Sequence, residues 1–395
     1  MKKYVINVIL LLFFSTSIVY AQEFEVTSHN IILYNMNDDS LLYEENSEEK
    51  VSIASLTKMM TTIVAIENIK DLDEVVTVTI PDFYGTVGYS EAGFKVGDKA
   101  TYRDLLYGIM LPSGAEAVNA VVRSVAGTET TFVEMMNQKA HELGLKDTHF
   151  ANPVGKDDEN NYSTAKDVAS LLKYALQNET FKTIFTTKYY KVPSNELELR
   201  STLSVYNMLD TSSILGSKSG FTKGAGRCLA SISHLNGVDY LLVVIKSDLT
   251  QNFNAVMDTL TIYDYYSSNY SYQNILNRNS IIENLPVKLG REKTYVVKVD
   301  ENVSLYLKND IAKDVTYKYE GINEITSKVK VGDKLGNVKV YYGEELLYTT
   351  DVFLNYELKY YHPVLILCII GGIIFFLLIL KMLFSKKKRR RKRRK

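Results

Sequence analysis

Ala54-Ser55-Leu56-Thr57-Lys58-Met59-Met60-Thr61-Thr62-Ile63-Val64-Ala65-Ile66-Glu67-Asn68 is the stretch on which the reading of this chain turns. Apolar residues recur at Leu56, Met59, Met60, Ile63 and Ile66, the spacing of an amphipathic helix with one face against a core. Ser55 stands at its start, and Lys58, one turn on, shares its face. Upstream, the apolar runs Ile31 to Tyr34 and Leu41 to Tyr43 flank Asn37-Asp38-Asp39-Ser40 and predict a β-hairpin. Downstream, helices are expected over Arg103 to Met110, Glu116 to Val125, Glu129 to Leu143 and Thr164 to Leu176. The period then changes to two in Arg227 to Ser233 and Asp239 to Ile245, around the turn Leu235-Asn236-Gly237, before a helix from Phe253 to about Tyr266. Strands at both ends with helices between them predict an α/β sandwich whose sheet joins the first hairpin to the last strands.

A serine hydroxyl is a poor nucleophile at neutral pH and needs a base within hydrogen-bond reach, which Lys58 can supply to Ser55. Ser-x-x-Lys alone carries little weight, because it recurs at Ser47/Lys50, Ser163/Lys166, Ser170/Lys173, Ser327/Lys330 and Ser385/Lys388. The order Ser55-Leu56-Thr57-Lys58, Ser113-Gly114-Ala115, Lys218-Ser219-Gly220 carries more. Singly, each also has a structural reading: Ser55 as a helix N-cap, Ser113-Gly114 as a turn, Lys218-Ser219-Gly220 as a loop before a strand. The histidines (His29, His141, His149, His234, His362) lie in no serine-hydrolase context, which disfavours a Ser-His-Asp triad. They lack metal-ligand spacing, and no Gly-rich phosphate loop is present, so no metal or cofactor is expected.

With these motifs in order, the chain resembles the D-alanyl-D-alanine carboxypeptidases of the low-molecular-mass penicillin-binding protein type. The resemblance extends through Tyr102-Arg103-Asp104-Leu105-Leu106-Tyr107-Gly108, Leu143-Gly144-Leu145, Asn152-Pro153-Val154-Gly155 and Tyr162-Ser163-Thr164-Ala165, covering roughly residues 28 to 265. It implies the penicillin-binding transpeptidase/β-lactamase-like sandwich and a peptidoglycan pentapeptide substrate, with β-lactam antibiotics as covalent inhibitors. It further implies Ser55 as nucleophile, Lys58 as general base and Ser113 as proton relay to the leaving amine. Lys218 and Ser219 would hold the terminal carboxylate beside Gly220, and the backbone N–H groups of Ser55 and Phe221 would form the oxyanion hole.

Three positions depart from the family pattern. Ala115 stands where the second motif usually ends in Asn, with Asn119 one turn further on; Ser219 replaces threonine; and Ser247 to Asn254 holds no Arg to assist with the carboxylate. Reduced turnover on a membrane-anchored, wall-binding scaffold is therefore one alternative. A β-lactamase-like hydrolase is the other, although no Glu-x-x-x-Asn element lies between Ala115 and Lys218 to activate the deacylating water.

Both ends read as membrane-targeting sequence. Lys2, Lys3, an apolar run from Tyr4 to Phe14 and Val19-Tyr20-Ala21, suited to a signal-peptidase site after Ala21, predict a signal peptide over residues 1–21. Val364 to Leu380 is uncharged and apolar, and with Met382, Leu383 and Phe384 makes a transmembrane helix over 364–384, a contact with membrane lipid. The basic segment 385–395 is expected in the cytoplasm by the positive-inside tendency, and the catalytic region outside. The formal charge of zero conceals this asymmetry: residues 22–360 carry 33 basic against 46 acidic groups, which argues against nucleic acid as a partner. Cys368 lies in the span, leaving Cys228 alone in the exported region, a small buried hydrophobe on a strand.

The expected domains are thus a carboxypeptidase domain over 22–268 and, where period-two alternation dominates, an all-β domain over 271–356. Lys330-Val331-Gly332-Asp333-Lys334 to Val340 is similar to the family's C-terminal β-rich domain. No catalytic constellation is visible there, and a spacer above the membrane is the simplest role.

Overall fold

The computed structural model describes residues 24–206, 208–361 and 363–392, so the signal-peptide reading lies outside the described residues. The chain divides between Ser268 and Asn269 into two compact units. In the first, five antiparallel strands form one sheet: β1 Asn30–Asn35, β2 Ser40–Glu45, β3 Gly216–Thr222, β4 Gly226–Leu235 and β5 Val238–Ser247. Their order is β2-β1-β5-β4-β3, so the first hairpin and the last strands meet in one sheet as expected.

Tyr240 to Ile245 of β5 are each at most 1 % exposed, as befits a central strand covered on both faces. One face, with Ile32, Ala230, Val243 and Ile245, joins the core formed by helices α1 Thr57–Asn68, α2 Tyr102–Met110, α3 Ala115–Ala126, α4 Glu129–Glu142, α5 Ala165–Ala175 and α6 Glu179–Thr186. The other receives α7 Asn254–Asn269, whose Tyr263 hydroxyl meets Ser231 Oγ at 3.0 Å and whose Tyr266 hydroxyl donates to Leu42 O. Asp258 of α7 accepts from Thr27 and Ser28, fixing the chain just before β1.

α1 departs from the amphipathic reading, because every residue from Thr57 to Ile66 is buried. It is the central helix, in contact with α2 to α6; Thr61 and Lys58 find polar partners inside the core, whereas the buried Thr62 Oγ1 has none among the described residues. Thr61 Oγ1 donates to Pro153 O at 2.7 Å, and the Lys58 ammonium is spent in the same way. Ser55 is not an N-cap either: it sits in a short 3₁₀ turn, Ala54–Leu56, ahead of α1, whose N-cap position is Leu56.

Ahead of its final helix the second unit is all-β: β6 Tyr270–Leu276 pairs with β9 Val303–Lys308, and β7 Ile281–Pro286 with β8 Thr294–Lys298. β10 Val315–Gly321, β11 Lys334–Tyr342 and β12 Glu345–Phe353 form a three-stranded antiparallel sheet. Leu276, Leu285, Val297, Ile325, Val338 and Val340 are its core. The final helix, α8 Pro363–Lys392, contains the apolar stretch Val364–Phe384, long enough to cross a membrane and wholly unburied.

Candidate active site

The first motif is held by glycines that let backbones pass. Ala54 adopts φ +46°, turning the chain so that Ser55 faces outward from the core. A Cβ on Gly155 (φ +87°) would stand 2.0 Å from Ala54 O, and one on Gly220 would stand 3.1 Å from both Ala54 Cβ and Ser55 N. The third-motif strand therefore runs directly against the serine's own backbone, a proximity only glycine permits.

Lys58 is almost fully buried behind Ser55 and donates to Ser55 Oγ at 3.1 Å and to Val154 O at 2.6 Å. Burial holds its ammonium well below the ordinary lysine range; the nearby charge of Lys218 depresses it further, while Glu116 acts in the opposite sense. Lys218, also almost fully buried, donates to Ser219 O at 2.9 Å, and burial lowers its pKa to about 7. Asn152 shapes the Val154 turn by accepting from the Gly155 and Lys156 N–H groups at 2.8 and 2.9 Å. The segment Asn152-Pro153-Val154-Gly155, whose role the sequence does not disclose, carries the carbonyl acceptor that fixes Lys58.

Ser113 sits at φ +69°, and its buried Oγ has no hydrogen-bond partner among the described residues. The strain of a left-handed serine is held by its neighbour: a Cβ on Gly114 would lie 2.6 Å from Ala92 Cβ and 2.8 Å from Ala92 N. Ala115 is fully buried and its N–H donates to Ser90 O. Asn119 does not replace the missing amide, since its Nδ2 donates to the carbonyls of Asp82 and Tyr84. Glu116, unremarked in the sequence, is fully buried, and burial raises its pKa; its Oε1 accepts the N–H groups of Ala92, Gly93 and Phe94 and so ties that segment beside Ser113.

Lys218-Ser219-Gly220 lies within strand β3 and is no loop, with Ser219 Oγ 2.7 Å from Thr202 Oγ1. Ser55, Ser113, Ser219, Gly220 and Phe221 line one open cavity of about 510 Å³, with Lys58 and Lys218 buried behind it. Thr202 and Arg227 line it too, and neither was singled out by sequence. Cys228 is buried, its thiol pushed up to about 12 by burial, consistent with a packing role. Among the described residues, no three His, Cys, Asp or Glu side chains converge on a metal-sized site.

A serine, two buried lysines and a second serine around one cavity invite comparison with known families. The model of the D-alanyl-D-alanine carboxypeptidase family matches residues 17–248. The chain belongs to that family. Residues 270–360 match the C-terminal domain of penicillin-binding protein 5. A D-alanyl-D-alanine carboxypeptidase, DacF, of Bacillus subtilis is 29% identical over 369 residues, covering 89% of this chain and 92% of its own. A D-alanyl-D-alanine endopeptidase of Pseudomonas aeruginosa is 32% identical over 56% of this chain and 72% of its own. Among solved structures, the carboxypeptidase DacD of Francisella tularensis shares the fold at a TM-score of 0.68 and 21% identity, over 85% of this chain and 95% of that one. The Streptomyces K15 DD-transpeptidase aligns at a TM-score of 0.56 and 30% identity, over 61% and 97%. The low-molecular-mass penicillin-binding protein assignment and its two-part fold, transpeptidase-like unit and all-β C-terminal domain, are thereby established.

Proposed function

We propose that this chain is a serine D-alanyl-D-alanine carboxypeptidase, removing the terminal D-alanine of peptidoglycan pentapeptides through an acyl-enzyme on Ser55 and so limiting cross-linking. The observation that carries the reading is the 3.1 Å contact between Lys58 Nζ and Ser55 Oγ at the edge of the cavity. A lysine depressed by burial can be neutral at working pH, and only the neutral amine can take the hydroxyl proton.

As the proton moves to Lys58, Ser55 Oγ attacks the carbonyl between the last two D-alanines. The resulting oxyanion is held by the backbone N–H groups of Ser55 and Phe221. Collapse breaks the peptide bond, and Ser113 passes a proton to the departing amine. Its unpartnered Oγ is free for that exchange. Water then attacks the ester, returning its proton through the same lysine and freeing Ser55. Lys218 and the Ser219 hydroxyl, on β3, serve the terminal carboxylate.

The Val364–Phe384 helix is a weak sign of membrane anchoring. We infer that it spans the bilayer with the basic end inside and the catalytic unit outside. Purified full-length protein in detergent should release one D-alanine per pentapeptide. Wall-stripped cells carrying it should do the same with impermeant peptide added from outside. Absence of release by the purified protein would favour the scaffold reading; release by lysed cells alone would overturn the topology.

A further inference from the structure

The cavity holds a cation that the mechanism above does not use. Arg227 lies on β4 directly opposite Phe221 of β3, with its guanidinium 4.7 Å from the Phe221 ring centroid. One NH₂ group donates to Asn252 Oδ1 at 2.5 Å, and Asn252 is itself tied to Tyr206, whose hydroxyl donates to Asn252 O. The guanidinium is therefore stacked on one side and tethered on another, at the wall of the cavity. Its Nε is buried without a hydrogen-bond partner among the described residues.

The sheet register supplies the reach. Leu229 faces Ser219 across β3 and β4, so Arg227, two residues earlier, shares the face of Ser219 and is its diagonal neighbour. Diagonal positions in an antiparallel pair lie about 7–8 Å apart, within the length of an arginine side chain. A carboxylate accepting from Ser219 Oγ would then stand between that hydroxyl and a planar fork of donors suited to two-point contact. The acid that also lines the cavity, Asp157, is occupied by Ser52, Thr222 and the Gly224 N–H. Lys223 lines the same cavity but is exposed at the strand turn, without the ring stacking and side-chain tether of Arg227 among the described residues.

Resting on the Ser55 acyl-transfer reading, we propose that Arg227 is the specificity-determining residue for a free terminal carboxylate, receiving it jointly with Ser219 and supplying from β4 the cation that Ser247 to Asn254 lacks. Phe221 and Asn252 act as its positioning residues.

The test is acylation of the full-length protein by benzylpenicillin and by its methyl ester, followed by intact mass, for the wild type, Arg227→Gln, Arg227→Lys and Lys223→Ala. Arg227→Gln should slow the acid roughly ten- to a hundredfold, the size of one hydrogen-bonded charge, and leave the ester within about twofold. Arg227→Lys should recover part of the loss, because charge returns without the fork. An equal fall on both compounds would mean that Arg227 only supports the strand. An unchanged acid rate, or the acid-selective loss appearing in Lys223→Ala instead, would equally overturn the proposal. A wild type acylated by neither compound would sink the Ser55 reading and this one with it, a result distinct from an active wild type whose selectivity ignores Arg227.

Discussion

Lys58→Met is expected to slow acylation of Ser55 by roughly 10²- to 10⁴-fold, the range for loss of a positioned general base, while flattening the pH dependence of stability. Methionine has similar length, so the helix around it need not repack, but Ser55 Oγ loses its proton acceptor and Val154 O its donor. The sign of the stability effect follows from proton counting. Burial lowers the folded-state pKa of Lys58, so between that value and the ordinary 10.5 the unfolded chain binds more protons than the folded one. Stability of the wild type therefore rises with pH through that window, and the lysine weakens the fold most on its acid side. Methionine removes this penalty, so the variant should gain on the wild type as pH falls and lose the advantage above about pH 10.5. Lys218, at about 7, contributes a slope of the same sign between 7 and 10.5 that the variant keeps. Paired denaturant melts at several pH values, beside acylation rates, read both effects. A pH-independent difference in stability would mean that Lys58 is not held below its ordinary range. A near-normal acylation rate would remove it from the chemistry.

Gly155→Ala is expected to cost far more than a single methyl usually does. Two penalties act together: a left-handed φ of +87° and a Cβ placed 2.0 Å from the Ala54 carbonyl oxygen. Backbone strain of this kind is worth about 1–3 kcal/mol, and an overpacked contact about another 1–3 kcal/mol. Gly127→Ala separates the two, because Gly127 also has positive φ (+78°) but nothing lies within 4 Å of its Cβ position. It should lose only the strain component and keep full activity, since it caps α3 away from the cavity. Gly155→Ala should additionally lose acylation, because relief of the clash moves Ala54 and with it Ser55. Thermal melts and penicillin acylation of both variants distinguish these outcomes. Equal stability losses would show that the contact with Ala54 is unimportant.

Much of this was legible in sequence where local pattern and fold agree. The hairpin around Asn37 to Ser40 became β1 and β2, and the alternation in Arg227 to Ser233 and Asp239 to Ile245 became β4 and β5. What stayed hidden depends on neighbours distant in the chain. Periodicity marks one face of α1 as apolar, but it cannot show that five other helices enclose Thr57, Lys58, Thr61 and Thr62 as well. Helix α6, only eight residues long, carries too few turns for its period to stand out. Asn119 could be weighed by spacing alone, and only the loop at Asp82 and Tyr84 explains where its amide went. Arg227 was invisible for a similar reason: nothing near it in sequence is catalytic, and its place at the cavity follows from pairing with Phe221 in the next strand.

The claim on which the rest depends is that Ser55 is the nucleophile. Full-length protein treated with benzylpenicillin and mapped by peptide mass spectrometry should carry one adduct, on the peptide containing Ser55, released slowly, and Ser55→Ala should carry none. An adduct on any other residue, or one that persists in Ser55→Ala, would contradict it.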